Sequence, residues 1–387
     1  MLRVLIADYK NADISAEIPY LFKKAGCEVD VYCRKGSWLL KNRSWDRWHE
    51  AASDPAEYAK GLIARVENAS YDWIILTDDP VLRIMNDRIG DDSAALKILP
   101  VAKLANRNVI GSKAALSLLC EKYQLRTPPF AIYNEGDDLS ALTATVGYPL
   151  LLKVDRSGGG SGVFRCIDES KLAETLRLLA PDQRKNLVFQ KYIEGDNIGV
   201  DALYRKGTLL AYARSKVVRT VTDEFSISSV RSYAPDETIE PELRRIGEEI
   251  GIDGFCNFTF MQEGRTGTYY LIEADLRPHA WFSLARLGGV DFSLAIRNYL
   301  SGSNTLIGQP CAAEVEIRHF FRDFNWSVER GDWRGILMWI FNRDGRWKFV
   351  PLHDRRIFFA TLGQLARNRL RSLHRLLHVS FMKRLLG

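Results

Sequence analysis

No apolar run in the 387-residue chain approaches the ~18–20 residues of a helical membrane span, which excludes that architecture. The opening MLRVLIADYK reads as a buried strand rather than a signal peptide. Six cysteines (27, 33, 120, 166, 256 and 311) show neither CxxC spacing nor clustering with histidine, which argues against a zinc site and for free thiols in a reducing cytoplasm. Glycine is missing from the turn after the first strand, Asp8-Tyr9-Lys10-Asn11, so the dinucleotide fingerprint is missing too. No Gly-Lys-Ser/Thr opens a helix after a glycine loop, which excludes a Walker loop. The chain also lacks a recognisable Ser-His-Asp or Cys-His constellation for nucleophilic catalysis. Finally, the body lacks positive excess: residues 355–387 hold eight Lys/Arg and no Asp/Glu, more than the whole net charge of +6. The basic character belongs to the tail, and nucleic-acid binding by the body does not follow from it.

What is present is a soluble composition long enough for two or three domains. Residues 1–112 alternate strand and helix: LRVLIADY, the helix ISAEIPYLFKKAG, CEVDVYC, a helix around 55–68, then the strand YDWIILTDD. That alternation predicts an open parallel sheet. Asp8 and the Thr77-Asp78-Asp79 cluster fall at strand carboxyl ends, where small ligands bind in such sheets, although Asp equally caps helices. Gly111-Ser112-Lys113 opens a helix at a seam between domains. Strands and helices continue through 130–219, the polar stretch 220–238 reads as a mobile loop, and GFCNFTFMQ and TYYLIEADLRP are strands.

Two stretches carry chemistry. YPLLLKVDRSGGGSGVF at 148–164 is an apolar strand ending in Lys153, a glycine turn and a second apolar run. Backbone N–H groups of such a hairpin can fold over polyphosphate beside a point positive charge. A glycine hairpin alone is ordinarily just a turn, but a lysine ending an apolar strand is rarely buried without a partner. LIEADLRPHAW at 271–281 places Glu273 and Asp275 two apart on an extended segment, hence on one side, where their oxygens suit Mg²⁺. Arg277 follows with a forked donor set for phosphate or carboxylate. The same pattern alone would also describe a solvated strand face. His279 and Trp281 either line an acceptor site or pack, and Asp201 and Arg231 are similarly open.

With GSKAALSLLCEKYQLRTPPF, LVFQKYIEGDNIGVD and GFCNFTFM, these blocks make residues from about 100 to 302 resemble the ATP-grasp superfamily, in the style of its carbamoyl-phosphate-synthase-like carboxylate–amine ligases. The resemblance implies an N-terminal open parallel α/β domain (1–112), an ATP-grasp small lobe (113–189) and a large lobe with the metal and phosphate site (190–310); beyond it, residues 311–387 read as a basic helical and aromatic extension. It implies that Lys113 and Lys153 contact ATP phosphates and that Gly158, Gly159, Gly160, Ser161 and Gly162 form the loop closing over them. Gln190, Lys191, Tyr192 and Ile193 match the hinge that holds adenine, and Asn197 stands near the acid that often binds ribose. Glu273 and Asp275 match the metal carboxylates, Arg277 the arginine that binds phosphate and intermediate, and Lys216 or Arg219 a further cation for the γ-phosphate. Thr259 departs from the family, standing where Asp, Glu or Gln is a metal ligand.

The implied activity joins a carboxylate to an amine or amino acid through an acyl phosphate, using ATP and Mg²⁺ (Mn²⁺ as the alternative) and releasing ADP and phosphate. The alternatives are activation of bicarbonate, as in carbamoyl-phosphate synthesis or carboxylation, and an ATP-binding regulatory or scaffold protein with reduced catalysis. The implied partners are these small molecules, in a cytoplasmic protein, with a homodimer as one arrangement. In the tail, Leu362, Ala366, Leu370, Leu373 and Leu377 share one helical face, and Arg367, Arg371 and Arg375 another. That basic amphipathic pattern reads as contact with an anionic membrane or an acidic partner, or as a terminal helix docked on its own protein.

Overall fold

The computed structural model describes residues 2–10, 13–308 and 313–367. The first sheet is parallel, in the order β3-β2-β1-β4, from β1 (Arg3–Ala7), β2 (Glu28–Cys33), β3 (Arg47–Glu50) and β4 (Trp73–Leu76). Helices α1 (Ile18–Ala25), α2 (Pro55–Asn68), α3 (Asp79–Arg88) and α4 (Asp92–Ile98) flank it. The open parallel sheet is as expected, with one strand more. The sequence Arg47-Trp48-His49-Glu50 has no apolar run, because β3 is a half-exposed edge strand.

Helix α5 (Lys113–Lys122) leads to a four-stranded antiparallel sheet in the order β5-β8-β6-β7, built from β5 (Phe130–Tyr133), β6 (Leu150–Lys153), β7 (Val163–Cys166) and β8 (Leu187–Lys191). Helices α6 (Leu139–Val146) and α7 (Glu169–Leu178) cover one face, where Leu150, Leu152, Leu172, Leu187 and Phe189 make a separate core. The other face carries Leu151, Lys153, Val188 and Gln190, as strand alternation requires.

The largest sheet is antiparallel, in the order β13-β12-β9-β10-β11-β14. Its strands are β9 (Gly195–Arg205), β10 (Thr208–Thr220), β11 (Ser228–Tyr233), β12 (Gly254–Glu263), β13 (Tyr269–Asp275) and β14 (Val315–Arg318). On one face Val200, Tyr204, Phe258, Phe260 and Leu271 pack with Leu243, Ile246 and Ile250 of α8 (Glu240–Ile250) in a core shared with the first sheet. On the other, Leu203, Ala211, Ala213 and Phe255 pack with Trp281, Phe282 and α9 (Phe292–Ser301). Two expectations change here. The stretch 220–238 is not one mobile loop, because β11 lies inside it and all six of its residues are buried. Its Ser-Ser-Val-Arg-Ser-Tyr composition hid the strand. The extension beyond 310 likewise contributes β14 to this sheet, so a boundary at 310/311 cuts through it.

After β14, α10 (Phe320–Glu329) and α11 (Trp333–Ile340) pack together. Asp323 is fully buried there and accepts from Trp339 Nε1 at 2.8 Å, with Arg219, Arg318 and Arg346 around it. Trp326 lies under Arg219, while Trp333 and Trp347 are exposed. Residues 355–367 are helical, and Leu362 packs on the core of the large sheet. Arg367 of the expected basic ladder ends the described helix, while Arg371 and Arg375, with Leu370, Leu373 and Leu377, lie outside the described residues.

Candidate active site

Lys153 ends β6 on the open face of the four-stranded sheet and is buried, with Nζ 2.6 Å from Gln190 Oε1. Burial pushes its ammonium pKa down to about 8, with Lys113 adding to the effect and Glu273 opposing it. A neutral amide is a weak partner for a buried cation, so Lys153 stands underneutralised and ready for an anion. Asp155, two residues on, accepts from Ser112 Oγ (3.0 Å) and from the backbone N–H of Lys113 (2.7 Å) and Ala114 (3.2 Å). It thereby ties the start of α5 to the hairpin and fixes Lys113, which donates from Nζ to Ser157 O and lies 3.5 Å from Glu273 Oε1. Two lysines from different elements thus converge.

The glycine turn follows. Gly159 and Gly160 have φ of +64° and +80°, which a side chain would strain. A Cβ on Gly160 would also sit 2.2 Å from Phe225 O, so the turn nestles against the 221–227 segment. In the expected hinge, the Lys191 and Tyr192 N–H groups donate to Pro129 O (2.8 Å) and Pro149 O (3.2 Å). Those two donors are therefore spent, and a purine edge would have to use other backbone groups. Tyr192 lies beneath Arg165, and Ile193 is buried.

Across the gap, Glu273 and Asp275 project from the β13 edge on the face shared with Thr259 and Asn257, their register partners on β12. Asp201 and Gly199 of β9 share that face, as does Asn197, which pairs with Met261. Asp275 accepts from Arg277 Nη2 at 3.0 Å. Burial pushes the Asp275 carboxyl up to about 7, with Glu273 and Asp79 adding to the rise and Arg277 opposing it. Arg277 also forks onto Asp79, Nε to Oδ1 at 2.6 Å and Nη2 to Oδ2 at 2.9 Å, and this holds the Asp79 carboxyl below its usual range against burial. Asp78, by contrast, caps α3 and accepts from the Tyr9 and Lys10 N–H groups. Sequence reading missed the Asp79–Arg277 pair. The only signal for it was an acid at a strand carboxyl end, 198 residues from its partner.

Lys216 and Arg219 are not brought to this cluster. Lys216 is paired in register with Ile198, on the face packed by α8, and its Nζ reaches Asp196 Oδ2 at 2.8 Å. Arg219 is taken by Asp323, Ser229 and the Trp326 ring. The cation that faces the site from this half of the sheet is Arg231 on β11, buried, with Nη1 3.6 Å from Asp201 Oδ2.

Among the described residues no group of three or more His, Cys, Asp or Glu gathers as a metal site. With Thr259 opposite Glu273, the donor set is two carboxylates of hard oxygen character, which fits Mg²⁺ completed by water and phosphate oxygens rather than a closed protein cage.

No protein-family model matches the chain. It is 24% identical over 282 residues to a D-alanine–D-alanine ligase of Thermoanaerobacter sp. (strain X514), covering 63% of this chain and 76% of that one. It is 27% identical over 192 residues to the mitochondrial ammonia-dependent carbamoyl-phosphate synthase of Aquarana catesbeiana, covering 46% of this chain but only 12% of that enzyme's length. Among solved structures, N5-carboxyaminoimidazole synthetase from Staphylococcus aureus with ADP matches with a TM-score of 0.63 and 14% identity over 86% of both chains. The biotin carboxylase domain of Hydrogenobacter thermophilus 2-oxoglutarate carboxylase, with MgADP and bicarbonate, matches with a TM-score of 0.60 and 17% identity over 79% of this chain and 71% of that one. In fold the chain is of the ATP-grasp type, and it resembles the carboxylate–amine ligases built on it.

Proposed function

We propose that this ATP-grasp chain is an ATP-dependent ligase that joins a carboxylate to an amine or amino acid, releasing ADP and phosphate. The observation that carries the reading is the convergence of Lys113, Lys153, Glu273, Asp275 and Arg277 between two antiparallel sheets. A carboxylate oxygen attacks the γ-phosphorus of ATP and ADP leaves, giving an acyl phosphate. The amine nitrogen then attacks the acyl carbon, phosphate leaves, and the ammonium proton is lost. Phosphoryl transfer of this kind asks for positioning and charge neutralisation rather than a protein nucleophile. Lys113 and Lys153 neutralise the phosphates, and the turn from Gly158 to Gly162 covers them and keeps water from the acyl phosphate. Glu273 and Asp275 would hold Mg²⁺, which supplies further neutralisation of phosphate oxygens when bound. Arg277, oriented by Asp79, places a guanidinium N–H beside the acyl carbon and stabilises the tetrahedral oxyanion.

The test is Mg²⁺-ATP consumption with pooled acids and amines, with the product identified as ADP or AMP, beside a Glu273→Ala control. Acid-dependent ADP that disappears in the variant is the expected result, and AMP would sink the acyl-phosphate route. No turnover with a retained ATP-induced rise in Tm would favour an ATP-binding scaffold protein instead.

We further propose a cytoplasmic protein in peripheral contact with anionic membrane. No helix of the described residues is long and apolar enough to cross a membrane. Support for contact comes from α11 and the turn after it, where Trp333, Leu337, Ile340 and Phe341 are exposed at helical spacing, with Arg334 and Arg343 alongside. Cosedimentation with phosphatidylserine vesicles at low salt is expected, and no binding there would remove the idea.

A further inference from the structure

Beyond Arg277, the same sheet face holds a second cationic cluster. Arg231, on β11, lies across the sheet over β9: a Cβ on Gly199 would sit 2.9 Å from its Nη1. Small residues beneath it, Ala213 and Ser215 on β10, permit that path. Its guanidinium stacks on the Trp281 ring at 4.8 Å, and Trp281 meets His319 edge-on at 5.7 Å. His319 stands at the N-terminal boundary of α10 without a side-chain capping bond, its backbone N–H donating to Ser229 O at 2.9 Å. One turn into α10, Arg322 donates from Nη1 to Ser228 O at 3.1 Å and makes no ion pair among the described residues.

Arg231 donates from Nε to Ser228 Oγ at 2.8 Å, but several other polar atoms of this cluster are buried without a hydrogen-bond partner. Arg231 Nη1, Trp281 Nε1, His279 Nδ1, His319 Nδ1 and Arg322 Nε make no hydrogen bond. Arg231, Trp281 and Arg322 are each at least nine-tenths buried. Buried, unmet donors on arginine are not relieved by losing a proton, so burial leaves them calling for an acceptor. The surrounding charge is positive: burial holds both histidines well below their ordinary pKa, and the charged groups around His279 are Arg231, Arg322 and Arg277. The carboxylates within influence are Asp201, already shared by Arg231 and Asn257, and Asp13 beside Arg322.

We propose that this cluster is a subsite for a second anionic group, so that the acid substrate carries a carboxylate or phosphate besides the carboxylate that is phosphorylated. The inference rests on the ligase reading in one respect: the reacting carboxylate is placed near Arg277 and the β13 edge. Arg231 over β9 lies two strand spacings from β13, roughly 10 Å, and His319 and Arg322 lie farther towards β14. One carboxylate does not reach both clusters, whereas a dianion of several bonds' length does. His319 and Arg322 belong to the segment beyond residue 302, outside the sequence blocks that carry the ATP-grasp resemblance.

Calorimetric titration of the full-length protein, with and without MgADP, tests it with butyrate, succinate, glutarate and 3-phosphonopropionate. At least one of the three dianions is expected to bind ten-fold or more tightly than butyrate, and Arg322→Gln and Gly199→Ala each to cut that advantage below three-fold, with near-UV circular dichroism confirming the fold of both. Preference for the phosphonate assigns a phosphate-type second group, and preference for a diacid assigns a carboxylate. Dianions that bind no better than butyrate, or an advantage that survives both substitutions, overturn the proposal. ADP release is scored separately: selective dianion binding without ADP release would sink the ligase reading and leave the subsite standing, while equal turnover of butyrate and the dianions would do the reverse.

Discussion

The two faces of the six-stranded sheet use the same strands for opposite ends. Facing α8, Val200, Tyr204, Phe258, Phe260 and Leu271 are buried against apolar neighbours and need nothing further. The other face, over its polar half, buries Asp201, Asn257, Arg231 and Arg277, with Glu273 and Asp275 partly buried beside them, and leaves several of their polar atoms unmet. One face lowers the free energy of the fold; the other offsets part of that gain with polar groups that are buried and only partly satisfied. Period-two alternation lets one strand do both, and a one-residue slip would exchange them.

The largest effect should come from breaking the polar face at its best-connected point. Arg277→Lys keeps the charge but loses the fork onto Asp79, and kcat/KM for acid-dependent ADP release should fall about 10²–10³-fold, the cost of a lost transition-state donor. On the apolar face, Phe260→Ala removes a ring packed between Phe258 and Tyr269 at 5.9 and 6.0 Å. Urea unfolding should show a loss of about 3–5 kcal/mol. Wild-type activity in whatever fraction remains folded would fit the division, whereas a site-specific loss without destabilisation would break it.

A smaller effect of opposite sign tests whether the polar face carries a cost. Lys153→Met replaces a buried ammonium whose pKa is pushed down to about 8. Between that value and the ordinary lysine value near 10.4, the unfolded chain binds the extra proton, so wild-type stability rises with pH across that window. The methionine variant should therefore be more stable than wild type by about 1–3 kcal/mol below pH 8, with the gap closing towards pH 10.5, while ATP affinity falls. Denaturant melts at pH 7 and pH 10 read the first part, and nucleotide titration the second. A destabilised variant at pH 7 would mean that the lysine is better satisfied than its single amide partner indicates.

How much of this was legible in the sequence follows from how local each feature is. Lys153 and the Glu273–Asp275 pair could be read because each depends on one strand: an apolar run ending in a charge, and two acids at period two. The parallel sheet was legible for the same reason. Residues 228–233 were not, because a buried strand that lines a charged site looks like a loop by composition. Arg231 went unassigned with it. Asp79 could be seen at a strand end, but its partner lies 198 residues away and only the fold brings them together. The missed edge strand β3 had no apolar run to announce it.

Lys216 shows the limit most sharply. Counting along TLLAYARSKVVRT tells which residues share a face, but not which face is the site. The register of β10 on β9 slips between Leu209 and Ala211, an irregularity that exchanges inward and outward positions for everything after it. Past the slip, Ala213 and Ser215 face the site opposite Asp201 and Gly199, and Lys216 faces α8 with its ammonium on Asp196 in a half-exposed pair. Such a pair contributes about 0–1 kcal/mol. Lys216→Ala should therefore change stability by less than about 1 kcal/mol and leave kcat/KM within roughly three-fold of wild type. The same substitution at Arg231 removes the partner of buried Asp201 and should cost several times more. Measured side by side, equal effects at the two positions would mean that the faces are not divided as the register places them.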